Sequence, residues 1–131
     1  MKAHASFKID RWEETDKRDA PGARFVSTVV DKTFEGDLEG QSAACLTMAH
    51  GPSDLRAYCG YEHITGVLFG RKGGFILLHD AIAGPDQAPQ AHWRILEGSG
   101  TGEWTGIAGS ATITPREGQD HAFDLEFTWP E

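Results

Sequence analysis

A glutamate and a histidine carry the strongest chemical promise in this chain. Glu62 and His79 lie on two β-type segments, Leu55 to Phe69 and Gly74 to Ile82, joined by Gly70-Arg71-Lys72-Gly73. Pairing Gly70 with Gly73 in an antiparallel hairpin puts Tyr58, Gly60, Glu62, Ile64, Gly66 and Leu68 on one face, opposite Phe75, Leu77, His79 and Ala81. Glu62 and His79 are then diagonal neighbours, a relation that long side chains can bridge. A carboxylate beside an imidazole in apolar surroundings orients the ring and tunes it as a general acid or base. Tyr58, on the same face, adds a phenol. Two other roles compete with catalysis. A buried Glu–His pair can satisfy itself and fix strand register, since a buried ionisable group needs a partner in any protein. It can also serve as the polar anchor of a bound ligand.

The rest of the chain offers less. The histidines at 4, 50, 63, 79, 92 and 121 are dispersed and show no metal-ligand spacing. No metal and no cofactor are expected. Gly98-Ser99-Gly100 lacks the frame of a nucleophile elbow. The same glycine-rich stretch is followed by Trp104 and a β-type segment, not by the helix N-terminus or lysine that a phosphate cradle needs. Trp12, Trp93, Trp104 and Trp129 can stack on a ligand or fill a core. Trp104 is kept as a pocket-wall candidate.

The elements that must position these residues are strands. Ala3, Ala5, Phe7 and Ile9 alternate with polar residues, and the phase slips before Trp12, which predicts a bulge near Asp10–Arg11 if Trp12 also faces inward. Thr15 to Gly22 reads as a charged loop. Arg24 to Phe34 is rich in β-formers, but both faces are partly apolar and its phase stays open. Gln41 to His50 follows, then the turn Gly51-Pro52-Ser53-Asp54, which brings Cys45 near Cys59 and Leu46 near Tyr58. Reduced thiols in or beside the sheet are expected. Ala83 to Pro89 reads as a loop, Gln90 to Leu96 and Glu103 to Thr114 as strands. The last strand alternates most clearly: Phe123, Leu125, Phe127 and Trp129 against Asp124, Glu126 and Thr128.

These eight candidates, with turns between neighbours, predict an all-β domain spanning 1–131, either a barrel or a sandwich. Three segments pair a bulky apolar residue with glycines at short spacing: Phe34 to Gly40, Ile64 to Gly70 and the stretch Leu96 to Ser110. In-strand glycines mark bends and close backbone approach, as tight coiling into a barrel requires. The terminal strands can pair to close it. An eight-stranded barrel is just wide enough to be filled by side chains or to hold one small ligand.

Composition excludes several partners. A net charge of −8, with no large Lys/Arg cluster, argues against nucleic acid. The longest apolar run, Phe75 to Leu78, is far too short to span a membrane, and the N-terminus MKAHASFKID lacks an apolar signal core, so a cytoplasmic location is expected. The other hairpin face, with Cys59, Tyr61, His63, Thr65, Val67 and Phe69, is also substantially apolar. Which face lines the barrel stays open. Whichever faces outward must be covered, and a homo-oligomer, dimer or trimer, is expected.

The glycine motifs carry a family resemblance. Gly36-Asp-Leu-Glu-Gly40, Gly60-Tyr-Glu62-His-Ile-Thr-Gly66-Val-Leu-Phe-Gly70-Arg71, Gly73-Gly-Phe75-Ile-Leu-Leu-His79 and Gly98-Ser-Gly-Thr-Gly-Glu103 resemble, in order, a family of small bacterial proteins of unknown function with an allene oxide cyclase-like barrel. The Gly-Ser-Gly-Thr-Gly stretch is also similar to a motif of dirigent proteins, which share that barrel. The resemblance implies a single eight-stranded antiparallel β-barrel. Allene oxide cyclases and dirigent proteins steer reactive apolar substrates in such barrels, often as oligomers, but their catalytic residues do not align onto this chain. The family pattern has a more polar residue at Leu78 and an arginine at His63, which favours turning Tyr58, Glu62, Phe75 and His79 inward.

The expected function is binding of one small apolar or amphipathic molecule, with Tyr58, Glu62, Phe75, His79 and Trp104 around it. The alternatives are an isomerase or cyclase using Glu62 and His79, and a non-catalytic oligomerising module.

Overall fold

Strands that alternate apolar and polar residues each have one face to bury, and this chain meets that demand by closing a sheet on itself. The computed structural model describes residues 1–130. The strands are β1 Lys2–Ala20, β2 Ala23–Gly36, β3 Leu38–His50, β4 Arg56–Leu68, β5 Arg71–Gly84, β6 Gln87–Ile95, the short β7 Thr101–Gly102, β8 Ala108–Thr114 and β9 His121–Thr128. The order β4-β3-β2-β1-β9-β8-β6-β5, with β4 pairing back onto β5, makes a closed antiparallel barrel of eight strands; β7 is an extra piece on β5. The terminal strands do pair, with Lys2 opposite Glu126.

The expected bulge is present: the β1–β2 register shifts between Ile9 and Arg11, and Trp12 falls opposite the buried Val30. The charged stretch from Thr15 is not a loop. It continues β1 to Ala20, with Lys17 opposite Val26 and a second register shift between Glu14 and Asp16. A strand needs only backbone pairing along one edge. Charges and bulges on the other edge are how exposed edges avoid pairing with foreign chains. Ala83 to Pro89 is likewise mostly strand, with a turn only between β5 and β6.

The central hairpin is tighter than expected. Phe69 (φ 48°) and Gly70 (φ 79°) form a two-residue turn, both in the left-handed region that hairpin turns favour. Gly73 therefore pairs with Gly66, not Gly70. The slip is by an even number of residues, so no side chain changes face. The β3–β4 register also differs: Cys45 lies opposite Tyr61 and Cys59 opposite Thr47, and both thiols are exposed and free.

Close backbone approach explains the paired glycines. A Cβ on Gly40 would stand 2.0 Å from the Thr65 carbonyl oxygen, and one on Gly66 would stand 2.0 Å from that of Glu39. The glycine-rich stretch after β6 is not one bent strand. It holds β7 and a turn that set Trp104 and Ile107 into the core, where the Trp104 indole donates to the Arg71 carbonyl at 2.8 Å. Gly73 and Gly100 leave the room that Trp104 occupies. This end of the barrel is packed solid around Phe34, Leu38, Leu68, Phe75, Trp104 and Phe127.

Candidate functional site

Between the packed end and a second, smaller apolar cluster of Val30, Ala44 and Leu46, four polar side chains enter the interior. They are Lys32 of β2, Ser42 of β3, Glu62 of β4 and His79 of β5, all buried. Period-two alternation delivers each of them inward. On β2 the inward set is Val26, Thr28, Val30, Lys32 and Phe34. On β3 it includes Leu38, Ser42, Ala44 and Leu46. Ser42 lies opposite Lys32, and Ala44 lies opposite both Val30 and Glu62. These small residues on β3 let long side chains from β2 and β4 meet across it.

Glu62 is the hub. Its Oε1 accepts from Lys32 Nζ at 3.2 Å and lies 2.8 Å from His79 Nε2. Its Oε2 accepts from Ser42 Oγ at 2.5 Å. Lys32 Nζ also sits 4.3 Å above the centre of the Phe7 ring, a cation–π contact. Burial is the largest influence on the Glu62 carboxyl and pushes its pKa up. The opposing influences, led by the His79 hydrogen bond, the Lys32 charge and the Ser42 hydrogen bond, outweigh it and hold the group below its ordinary value. A carboxylate accepts only, so His79 Nε2 carries the proton in that contact, an assignment that follows from the hydrogen-bond pattern. The other ring nitrogen, Nδ1, is buried and has no hydrogen-bond partner.

Above this unit the barrel is hollow. A cavity of 330 Å³ is walled by Phe7, Trp12, Leu46, Tyr58, Trp93 and Ile113 among others, with Lys32 and His79 at its base. It shares Trp12, Met48 and Tyr58 with an outer chamber of 460 Å³ at the end of the barrel where β3 meets β4 and β5 meets β6. Arg56, His50 and Glu14 lie around that outer chamber, and Thr28 lines it. Tyr58 accepts a hydrogen bond from the Trp93 indole at 3.3 Å, and burial raises its phenol pKa.

Of the residues singled out from the sequence, Tyr58, Glu62 and His79 come together. Tyr58 and His79 stand 6.1 Å apart by ring centres and both line the inner cavity. Glu62 lies beneath it, holding Lys32 and His79. Phe75 and Trp104 pack on each other at 5.5 Å in the solid end and do not line this cavity. The physical reason is axial position: both share the inward face, but on the far side of the polar unit. Neither Lys32 nor Ser42 stands out in the sequence as a site residue. For Lys32 the signal is the alternation from Val26 to Phe34, which stays ambiguous because the outward positions Phe25 and Val29 are apolar as well. Among the described residues, no group of three His, Cys, Asp or Glu is placed to hold a metal ion.

The fold and this interior define a small lumen-bearing β-barrel, with a buried lysine–carboxylate–imidazole unit beneath an apolar chamber. The chain belongs to DUF3224, a family of proteins of unknown function, whose family model matches residues 3–127. It is similar to the crystal structure of a DUF3224 protein of unknown function from Shewanella oneidensis, with 28% sequence identity and a TM-score of 0.88, over 100% of this chain and 98% of that one. No curated protein matches the chain.

Proposed function

We propose that the barrel binds one small apolar or amphipathic molecule in its lumen, with the Lys32–Glu62–His79 unit as the polar base of the site. One observation carries this reading. Among the described residues only two buried side-chain polar atoms lack a hydrogen-bond partner, Thr28 Oγ1 and His79 Nδ1, and both residues line the hollow half of the barrel. Buried polar groups are otherwise almost always paired, because leaving one unpaired costs about 1–3 kcal/mol. A chamber of a few hundred Å³ with mostly apolar walls and few polar groups is the ordinary form of a small-molecule site. Allene oxide cyclases and dirigent proteins, whose barrel type this one resembles, steer apolar substrates inside the barrel. The exposed Tyr61 and Phe69 support self-association as a dimer or trimer.

Native mass spectrometry of freshly purified protein tests the reading. A co-purifying small molecule is expected, and it should be lost when Met48→Trp fills the junction of the two chambers. Wild-type protein that carries no such mass and binds no apolar probe would sink it.

A second reading, an isomerase or cyclase, is favoured by the orientation of His79. With its Nε2 proton given to Glu62, the neutral ring has its lone pair on Nδ1 beside an apolar chamber, which is the arrangement general-base catalysis uses. Turnover of a candidate substrate that is unchanged by His79→Ala would remove it.

A further inference from the structure

The hydrogen-bond character of the lumen narrows what it can take, and this step rests on the binding reading above. Lys32 and Glu62 balance each other in charge, 3.2 Å apart and both buried. His79 donates its Nε2 proton to the same carboxylate. With the Nε2 proton given to Glu62, the neutral ring carries its lone pair on Nδ1. His79, which lines the base of the cavity, therefore carries an unused acceptor, not an unused donor. Its walls carry Phe7, Trp12, Tyr58 and Trp93, whose ring faces and edges suit another ring.

We infer that the lumen selects a neutral ring compound bearing a hydroxyl group, with the hydroxyl donating to His79 Nδ1 and the ring lying between Trp12, Tyr58 and Trp93. A carboxylate-bearing ring fits poorly. Its negative charge would enter beside Glu62, and the Lys32 charge that could meet it is already engaged. An ether of the same size fits the walls but leaves Nδ1 without a donor. The hydroxyl makes the contact, and the ring supplies the apolar burial.

The test uses four probes of one skeleton: 2-naphthol, 2-methoxynaphthalene, naphthalene and 2-naphthoate, titrated into the whole protein by calorimetry. One hydrogen bond to an otherwise unpaired buried acceptor is expected to favour naphthol over naphthalene and the ether on the order of tenfold. Naphthoate should bind weakest. In His79→Phe the naphthol preference should vanish while naphthalene still binds. Should that variant fail to fold, nitrogen-15 spectra of histidine-labelled wild type serve instead: the Nδ1 resonance of His79 should move with naphthol and not with naphthalene. Equal binding of naphthol and naphthalene overturns this inference and leaves the lumen a ligand site. Tightest binding by naphthoate also overturns it, by showing an uncompensated cation at the base. No binding of any probe overturns both this inference and the binding reading.

Discussion

Lys32 and Glu62 meet 3.2 Å apart inside the barrel although their strands, β2 and β4, are not neighbours. The strand between them contributes Ser42 and Ala44 at the crossing, and Ser42 itself donates to the far oxygen of Glu62. Four strands are thus tied by one carboxylate, at the level where the solid core gives way to the cavity.

Removing that carboxylate's charge should unfold much of the margin. Glu62→Gln leaves the Lys32 ammonium buried without its counter-charge, and such single losses cost about 3–5 kcal/mol. The double variant Lys32→Met with Glu62→Gln removes both charges while leaving an amide oxygen to accept from His79 or Ser42, and should recover much of the loss, since the uncompensated buried ammonium is gone. Urea unfolding of the wild type, single and double variants measures this. A double variant no more stable than Glu62→Gln would show that the pair is not acting as a charge pair.

Acid should erase the difference. The folded-state pKa of Glu62 lies below its ordinary value of 4.5. Its ionised form is therefore favoured by folding, and the contribution is complete above that ordinary value and is lost as pH falls through the folded-state value. The stability gap between wild type and Glu62→Gln should be widest near neutrality and narrow steadily in acid. A gap that stays constant from neutral pH down to the onset of acid unfolding would contradict the assignment of Glu62 as the ionised hub.

The glycines make an independent prediction about closure. Gly66→Ala forces a methyl against the Glu39 carbonyl, where Gly40 and Gly66 pair across β3 and β4. Backbone cannot yield as a flexible side chain does, so about 3 kcal/mol should be lost. Gly70, with φ 79° and nothing within 4 Å of an added Cβ, needs only the left-handed conformation. Asparagine tolerates that conformation, so Gly70→Asn should cost less than about 1 kcal/mol. Thermal melting of the two variants distinguishes them, and similar losses in both would refute the close-approach explanation.

Cys45 and Cys59 should both react with a thiol reagent in the native protein. They are exposed and free, and each faces a different residue across the β3–β4 ladder. Two thiols per chain titrated without denaturant is the expected count. Protection of either one would mean that the outer face is covered in solution, as an oligomer interface would cover it.

Much of this architecture is legible in the chain because alternation is a local property. Phe123, Leu125 and Phe127 announce their strand directly, and Glu62 shares a face with Ile64 and Leu68 whatever the turn does. Even the wrong pairing of Gly70 with Gly73 kept Glu62 and His79 on one face, since the true slip is even. Register, by contrast, depended on Phe69 adopting a positive φ, which no composition rule favours for phenylalanine. The length of β1 was hidden because its outer half is charged and pairs only with β2.

What the sequence determined by itself is therefore the strand-built, glycine-coiled domain and the placement of Tyr58, Glu62 and His79 on one face of its central hairpin; that this face turns inward was decided by the closed sheet. Only the tertiary structure decided the rest. Closure of the sheet brought Lys32 and Ser42 onto Glu62 from strands far apart in the chain, and set Phe75 and Trp104 in the solid half, away from the cavity. Position along the barrel axis and contact across an intervening strand follow from stagger and closure of the whole sheet. Those are global quantities, and the period-two pattern of a single segment does not encode them.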